Sequence, residues 1–218
     1  MPALGILDAG AVRTGIRLAA GDMTSMPSPR EVVKRGSKAV EVAGFRFGLE
    51  ITATARLRGG QGAGVLDEYC HALRLANEIN VRFGEISIRT ALAAAHRIGG
   101  DPANALEHAE VAICRIRRTG IRANLEGRAL IEVGLARLDL GDPSCAATCL
   151  AAAVQVARRN GMRLIEARAL DAYGRAVHAN EGARAAAPHW RAALEIFDRI
   201  GAPEASQVRT RLGVDIHP

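Results

Sequence analysis

The residues best placed to do chemistry in this sequence are its cysteines. Cys145 and Cys149 are four residues apart, a spacing that would place two thiolate ligands on one face of a helix. No His or Cys pair with ligand spacing lies near them, and a free cysteine commonly packs as a small hydrophobic residue. We therefore expect both cysteines to pack in the core, and we predict no metal site and no cofactor.

The six histidines do not form a catalytic pattern. General acid–base catalysis needs a positioned partner group and a cleft, and the sequence indicates neither. There is no GxSxG serine and no HExxH helix, which are the patterns of common nucleophilic and zinc-dependent hydrolases. The chain is therefore predicted not to be an enzyme. A biosynthetic enzyme or a small-ligand-binding protein built on the same fold is the alternative.

The glycine-rich stretch GGQGAG (59–64) could hold a phosphate only in a particular context. A phosphate-binding loop needs Lys-Ser or Lys-Thr after its glycines and a strand before them. Because both are missing here, the stretch predicts a flexible turn between two helices.

Composition indicates that helices must position all of these residues. Hydrophobic residues make up 49% of the 218 residues and aromatic residues only 3%, and the abundant Ala, Leu, Arg and Glu are strong helix formers. The net charge of +6 suits an acidic partner, although arginine enrichment through a GC-rich genome explains it equally well.

No apolar run approaches the roughly 20 residues of a membrane span, and no secretory signal opens the chain. A cytoplasmic location is expected.

A repeat of about forty residues organises the chain. The segment GDPANALEHAE (100–110) returns in outline as GDPSCAATCLA (141–151). Each unit holds two amphipathic runs, which predicts a helix–turn–helix. Asp101 and Asp142 are placed to cap the second helix, with Pro102 and Pro143 at its first position, where the missing N–H costs nothing.

Small residues recur at intervals of 40 or 41 residues, as close crossing of the two helices of a hairpin requires. They are Ala53, Ala93, Gly134 and Gly174 in the first helix, and Ala72, Ala112, Ala153 and Ala193 in the second helix, with Val65, Ala105, Ala146 and Ala186 seven residues earlier.

These registers resemble the tetratricopeptide repeat family. That family's second helix carries Ala, a large residue four later and another Ala, which this chain matches with Ala186, Trp190 and Ala193 and again with Ala146, Leu150 and Ala153. The resemblance covers about residues 45–201. The final segment, HWRAALEIFDRIGAPEASQVRTRL, resembles the long-repeat helical domains of actinobacterial transcription regulators.

The resemblance implies an all-α fold, a right-handed α-solenoid of hairpins with a period of about forty residues. Four repeats are expected at about 45–82, 83–122, 123–162 and 163–201. Residues 1–44 are predicted to form a degenerate N-terminal hairpin, and residues 202–218 a C-terminal capping helix and tail.

The family also implies a concave groove lined by the first helix of each repeat. Its groove positions correspond here to Arg97, Arg128, Ile131, Leu135, Leu138, Arg168, Asp171, Arg175 and His178. An apolar strip beside arginines suits an acidic or carboxylate-ended segment, because guanidinium groups hold carboxylates with two hydrogen bonds. The alternative is that these arginines are solvated or paired with carboxylates of their own helices.

The predicted function is therefore a non-catalytic module that binds a protein or peptide, as a sensing or scaffolding part of a bacterial transcriptional regulatory system. No membrane partner is expected. Nucleic acid is not the expected partner either, because the aromatic residues lie at helix-packing positions instead of on a basic face. Self-assembly into a homo-oligomer through alanine-rich faces is a further alternative.

Overall fold

The computed structural model describes residues 62–78, 82–120 and 123–213. These residues form eight α-helices and no strand. The helices are α1 (Gly62–Glu78), α2 (Arg82–Ile98), α3 (Pro102–Thr119), α4 (Ala123–Asp139), α5 (Pro143–Arg159), α6 (Arg163–Glu181), α7 (Ala183–Ile200) and α8 (Ala205–Leu212). The predicted hairpin at 1–44 and the first helix of the first repeat lie outside the described residues.

The chain divides into two compact units, Met1–Gly99 and Gly100–Pro218. The first unit contains α1 and α2, and the second contains α3 to α8. The predicted second repeat, 83–122, is thus shared between the units, and the repeat boundaries stay predictions.

In the first unit, α1 and α2 pack through apolar residues spaced three and four apart. Val65, Tyr69 and Ala72 of α1 share a buried cluster with Ile88 and Leu92 of α2. Val65 and Ala72, the first members of two of the predicted recurring series, are therefore core residues.

In the second unit, each helix packs against the next one along the chain, from α3 to α8, and α4 also contacts α6. Helices α4 and α5 run antiparallel, because Gly134 lies beside Leu150 whereas the earlier Gly127 lies beside the later Val156. An ion pair at 2.8 Å joins Arg137 Nη2 of α4 to Glu110 Oε1 of α3. The predicted all-α helical-repeat fold is confirmed.

The repeated Gly-Asp-Pro turns act as helix caps. The Asp101 carboxylate accepts a hydrogen bond from the Asn104 N–H at 3.2 Å, and Asp142 accepts one from the Cys145 N–H at 3.1 Å. Each cap is followed by proline at the start of its helix, which confirms the predicted punctuation.

The predicted small residues lie where the hairpin helices cross. A Cβ atom on Gly134 would lie 2.8 Å from Leu150 Cδ2, and one on Gly174 would lie 2.5 Å from Trp190 Nε1. Such separations are too short for real atoms, so the lack of a side chain at Gly134 and Gly174 leaves the space at each crossing that Leu150 and Trp190 fill.

Two predictions are wrong. Cys145 is exposed and Cys149 is half-buried, because α5 buries its alanine stripe and turns this face outward, so neither is a core residue. Gly62 and Gly64 lie in the first turn of α1 and not in a turn between helices, while residues 59–61 lie outside the described part of the chain.

Within the described ranges, no helix is long and apolar enough to cross a membrane. The same ranges hold no group of three His, Cys, Asp or Glu side chains that would bind a metal.

Candidate partner-binding surface

The structure distributes the predicted groove residues over three helices. Arg97 lies on α2 in the first unit. The other eight lie in the second unit, where α4 and α6 are in contact. The four on α4 are Arg128, Ile131, Leu135 and Leu138, and the four on α6 are Arg168, Asp171, Arg175 and His178.

On α4, the predicted apolar strip is mostly core. Ile131 is 8% exposed and Leu135 is 6% exposed, while Leu138 is half-buried. The reason is that α3, α5 and α6 all pack against α4, so most of its circumference is covered. This corrects the prediction that Ile131 and Leu135 form an exposed strip for a ligand.

On α6, the equivalent positions are polar and remain accessible. Arg168 and His178 are exposed, and Asp171 and Arg175 are half-buried. These four residues lie three or four apart along one face of the helix. We call this set the α6 stripe.

The short C-terminal helix α8 adds two charged residues to the α6 stripe. Glu204 Oε1, just before α8, accepts hydrogen bonds from Arg168 Nε at 3.0 Å and from Arg168 Nη2 at 2.6 Å. Arg211 Nη1 donates to Asp171 Oδ1 at 2.8 Å. Sequence reasoning missed both residues, although Arg211 follows Asp171 by forty residues, which is the repeat period.

Asp171 is the electrostatic centre of this surface. Burial raises the pKa of its carboxyl, and the nearby guanidinium groups of Arg211 and Arg175 oppose that rise. Its backbone carbonyl accepts a hydrogen bond from Trp190 Nε1 at 3.2 Å. Trp190 therefore anchors the backbone at Asp171 to the core of the hairpin.

Aromatic contacts hold two histidines. The His178 ring lies 5.6 Å from the Trp190 ring between centroids, and the His189 ring lies 4.6 Å from Tyr173 in an edge-to-face arrangement. Packing positions these imidazoles, and sequence spacing alone did not reveal these pairs.

Together, the α6 stripe and α8 present three guanidinium groups, from Arg168, Arg175 and Arg211, and two carboxylates, from Asp171 and Glu204. The surface is thus slightly cationic and rich in hydrogen-bond donors. Such a surface can bind a carboxylate, and the Arg168–Glu204 pair shows the arrangement within the chain.

Neither protein-family models nor the sequences of curated proteins match this chain. Solved structures do match. The apo form of RapI is 13% identical with a TM-score of 0.62, over 77% of this chain and 61% of that one. A Rap protein complexed with competence and sporulation factor is 12% identical with a TM-score of 0.70, over 96% and 60%.

BtubC (BKLC) from P. vanneervenii is 16% identical with a TM-score of 0.69, over 94% of this chain and 83% of that one. The chain therefore spans about 60% of the length of each Rap structure. The class that the fold defines is a helical-repeat protein, and at these identities the likeness establishes the fold alone.

Proposed function

We propose that this protein is a non-catalytic interaction module that binds an acidic or carboxylate-ended segment of a protein or peptide. The binding surface is the α6 stripe together with Arg128 and Leu138 of α4. The observation that carries this proposal is the contrast between equivalent positions. Ile131 and Leu135 of α4 are core residues, whereas Asp171 and Arg175 of α6 are charged and partly exposed.

The preference for a carboxylate rests on the excess of guanidinium groups. Arg168 already holds the Glu204 carboxylate through two donors, and a partner carboxylate would be bound in the same way. A similar fold in complex with competence and sporulation factor supports binding of a partner by such a helical repeat.

The non-catalytic part of the proposal rests on the groups whose pKa is shifted. Hydrogen bonding to Cys145 lowers the pKa of the Asp142 carboxyl, and the same contact raises the pKa of the Cys145 thiol. Burial raises the pKa of Cys149. A raised thiol pKa reduces the reactive thiolate. Helix capping accounts for the shift at Asp142, and burial accounts for the shift at Asp171.

A role as a sensing or scaffolding part of a bacterial transcriptional regulatory system, in the cytoplasm, completes the proposal. Its support is the resemblance of the final segment to helical domains of transcription regulators.

The test has two steps. Proteins that bind the chain are first captured from the native extract, and binding of a defined peptide is then measured. The full chain is compared with an Arg168→Glu, Arg175→Glu variant, and Arg191→Glu serves as control because this exposed arginine lies on α7. We expect a bound protein that the stripe variant loses and the control retains. Its binding segment, made as a peptide, should lose affinity when its carboxylates become amides. Retention of every bound protein by the stripe variant would refute the proposed surface.

A further inference from the structure

One edge of the second unit gathers the ends of successive helices. A Cβ atom on Gly127, near the start of α4, would lie 3.8 Å from Val156 Cγ1 near the end of α5 and 3.1 Å from Ile165 Cγ2 near the start of α6. Because α3 ends at Thr119 and α4 begins at Ala123, the end of α3 lies at this edge as well.

Arginines occupy the last turn of both helices that end there. Arg117 and Arg118 lie at the end of α3, Arg158 and Arg159 at the end of α5, and Arg163 begins α6. All five side chains are exposed. We call these five residues the arginine edge.

Two members of the arginine edge have a structural role. Glu166 is 3% exposed, and its carboxylate accepts hydrogen bonds from Arg158 Nε at 2.9 Å and Arg163 Nη1 at 3.0 Å. These arginines neutralise a buried carboxylate.

The other three members, Arg117, Arg118 and Arg159, make no ion pair and no side-chain hydrogen bond with any residue in the described ranges. A favourable interaction with the helix dipole explains their helix position but leaves their donors in solvent. Against these five guanidinium groups, the described residues between the end of α3 and the start of α6 contribute at this edge the carboxylates of Glu166 and the half-buried Glu126.

The opposite edge has the reverse charge. It contains the α4–α5 and α6–α7 turns and the start of α3, and its carboxylates are Asp101, Asp139, Asp142 and Glu181, against the guanidinium groups of Arg137 and Arg184. General arginine enrichment would raise the positive charge of both edges. The difference in charge between the two edges therefore comes from this arrangement of helices and not from the overall arginine content.

We propose that the arginine edge is a second docking surface, which binds an acidic segment of a partner protein. The inference rests on the proposed function only in taking the partner to be a protein. No described Trp, Tyr or Phe side chain is exposed at this edge, whereas single-stranded nucleic acid binding relies on aromatic stacking. At the end of α7, Glu195 and Asp198 pair with Arg199 and Arg209, so the basic surface does not continue there. A basic surface this short fits a few carboxylates better than a continuous phosphate backbone.

The test measures anisotropy of a labelled twelve-residue oligoglutamate with the full chain. The edge variant is Arg118→Glu, Arg159→Glu. The control is Arg184→Glu, Arg191→Glu, which changes the net charge equally at two exposed α7 residues that have no ion pair with a described residue. We expect the edge variant to lose about tenfold in affinity and the control less than about twofold. Oligoglutamine should not bind.

Three outcomes would overturn the inference. Equal loss in both variants would show a response to net charge alone. Tighter, edge-dependent binding of a twelve-base-pair DNA duplex would assign the edge to nucleic acid. Loss only in the Arg168→Glu, Arg175→Glu variant would place the site on the α6 stripe, which supports the proposed function and removes the edge. Loss only in the edge variant would separate the two surfaces.

Discussion

The hairpins α4–α5 and α6–α7 follow the same repeat, yet equivalent residues have opposite roles in them. Ile131 of α4 is a core residue, whereas Asp171, forty residues later, forms an ion pair at the surface. Leu135 and Arg175 differ in the same way. The first helix of the hairpin after α4–α5 is the full-length α6. After the hairpin α6–α7, the next helix is α8, which has only eight residues. The length of the neighbouring helix therefore decides whether this register is core or partly exposed.

The inner faces of the two hairpins are built alike. Gly134 makes room for Leu150, and Gly174 makes room for Trp190. Both large side chains are buried. The contrast in burial thus lies on the side of α4 and α6 that faces the next first helix.

Exchanging the contrasting residues should have the largest effect. Ile131→Asp removes a buried side chain and places a carboxylate among apolar neighbours, so we expect a loss of about 3–5 kcal/mol in the free energy of unfolding. Asp171→Ile should cost less than about 1 kcal/mol, because Arg211 is partly exposed and stays hydrated. Urea unfolding of both variants measures the difference. Similar losses would show that the two positions are equally buried in solution.

A second comparison tests the two helix crossings. Gly174→Ala drives its Cβ toward the rigid Trp190 ring, while Gly134→Ala drives it toward Leu150, which can change rotamer. We expect losses of about 2–3 and about 1 kcal/mol, respectively, in thermal unfolding. Trp190 is the single tryptophan of the chain, so its fluorescence should change in the Gly174 variant only. An unshifted spectrum there would mean that the crossing adapts without moving the ring.

The third prediction concerns the ionisation of Asp171. Its folded-state pKa is raised, so the fold disfavours the charged form and this group's contribution to stability falls as the pH rises through that pKa. Arg211→Ala removes an opposing cation and so raises the folded-state pKa of Asp171 further, and the fall should therefore become larger and extend to higher pH. Unfolding of the wild type, Arg211→Ala and Asp171→Asn across the acidic range measures it. Asp171→Asn should lack this decrease, and a decrease that persists there would come from another group.

The smallest effect is expected at the turn that distinguishes the hairpins. Asp142 caps α5, whereas Gly182 precedes α7 without a side-chain cap. The pKa of Asp142 is lowered, so its contribution to stability is present above the unfolded pKa and is lost as the pH falls through the folded value. Asp142→Ala should lower the Tm slightly at neutral pH and have no effect in strong acid. Asp142→Asn, which keeps the cap, should retain the Tm at neutral pH.

The helix α8 shows which contacts hold the end of the repeat. It buries only Ala205 and Val208, and ion pairs join Arg168 to Glu204, Asp171 to Arg211 and Asp198 to Arg209. Most of these pairs are partly exposed, so salt should weaken them. This helix lies within residues 202–218, for which a capping helix and tail are predicted. Ion pairs from Arg211 and from the preceding Glu204 contact the predicted groove residues Asp171 and Arg168.

The sequence by itself determined the features that depend on residues close together in the chain. Apolar residues three and four apart gave the helices, Asp101 and Asp142 gave their caps, and the interval of forty residues placed Gly134 and Gly174 at the crossings. These follow from helix geometry and capping chemistry, which operate within a turn or two.

Only the tertiary structure decided which faces of those helices remain open. Ile131 is buried because three helices surround α4. Cys145 is exposed because α5 buries a different face, and Arg168 is paired because Glu204 lies beside it. Each outcome depends on neighbours that are remote in sequence, and the burial of a side chain is a property of everything packed around it.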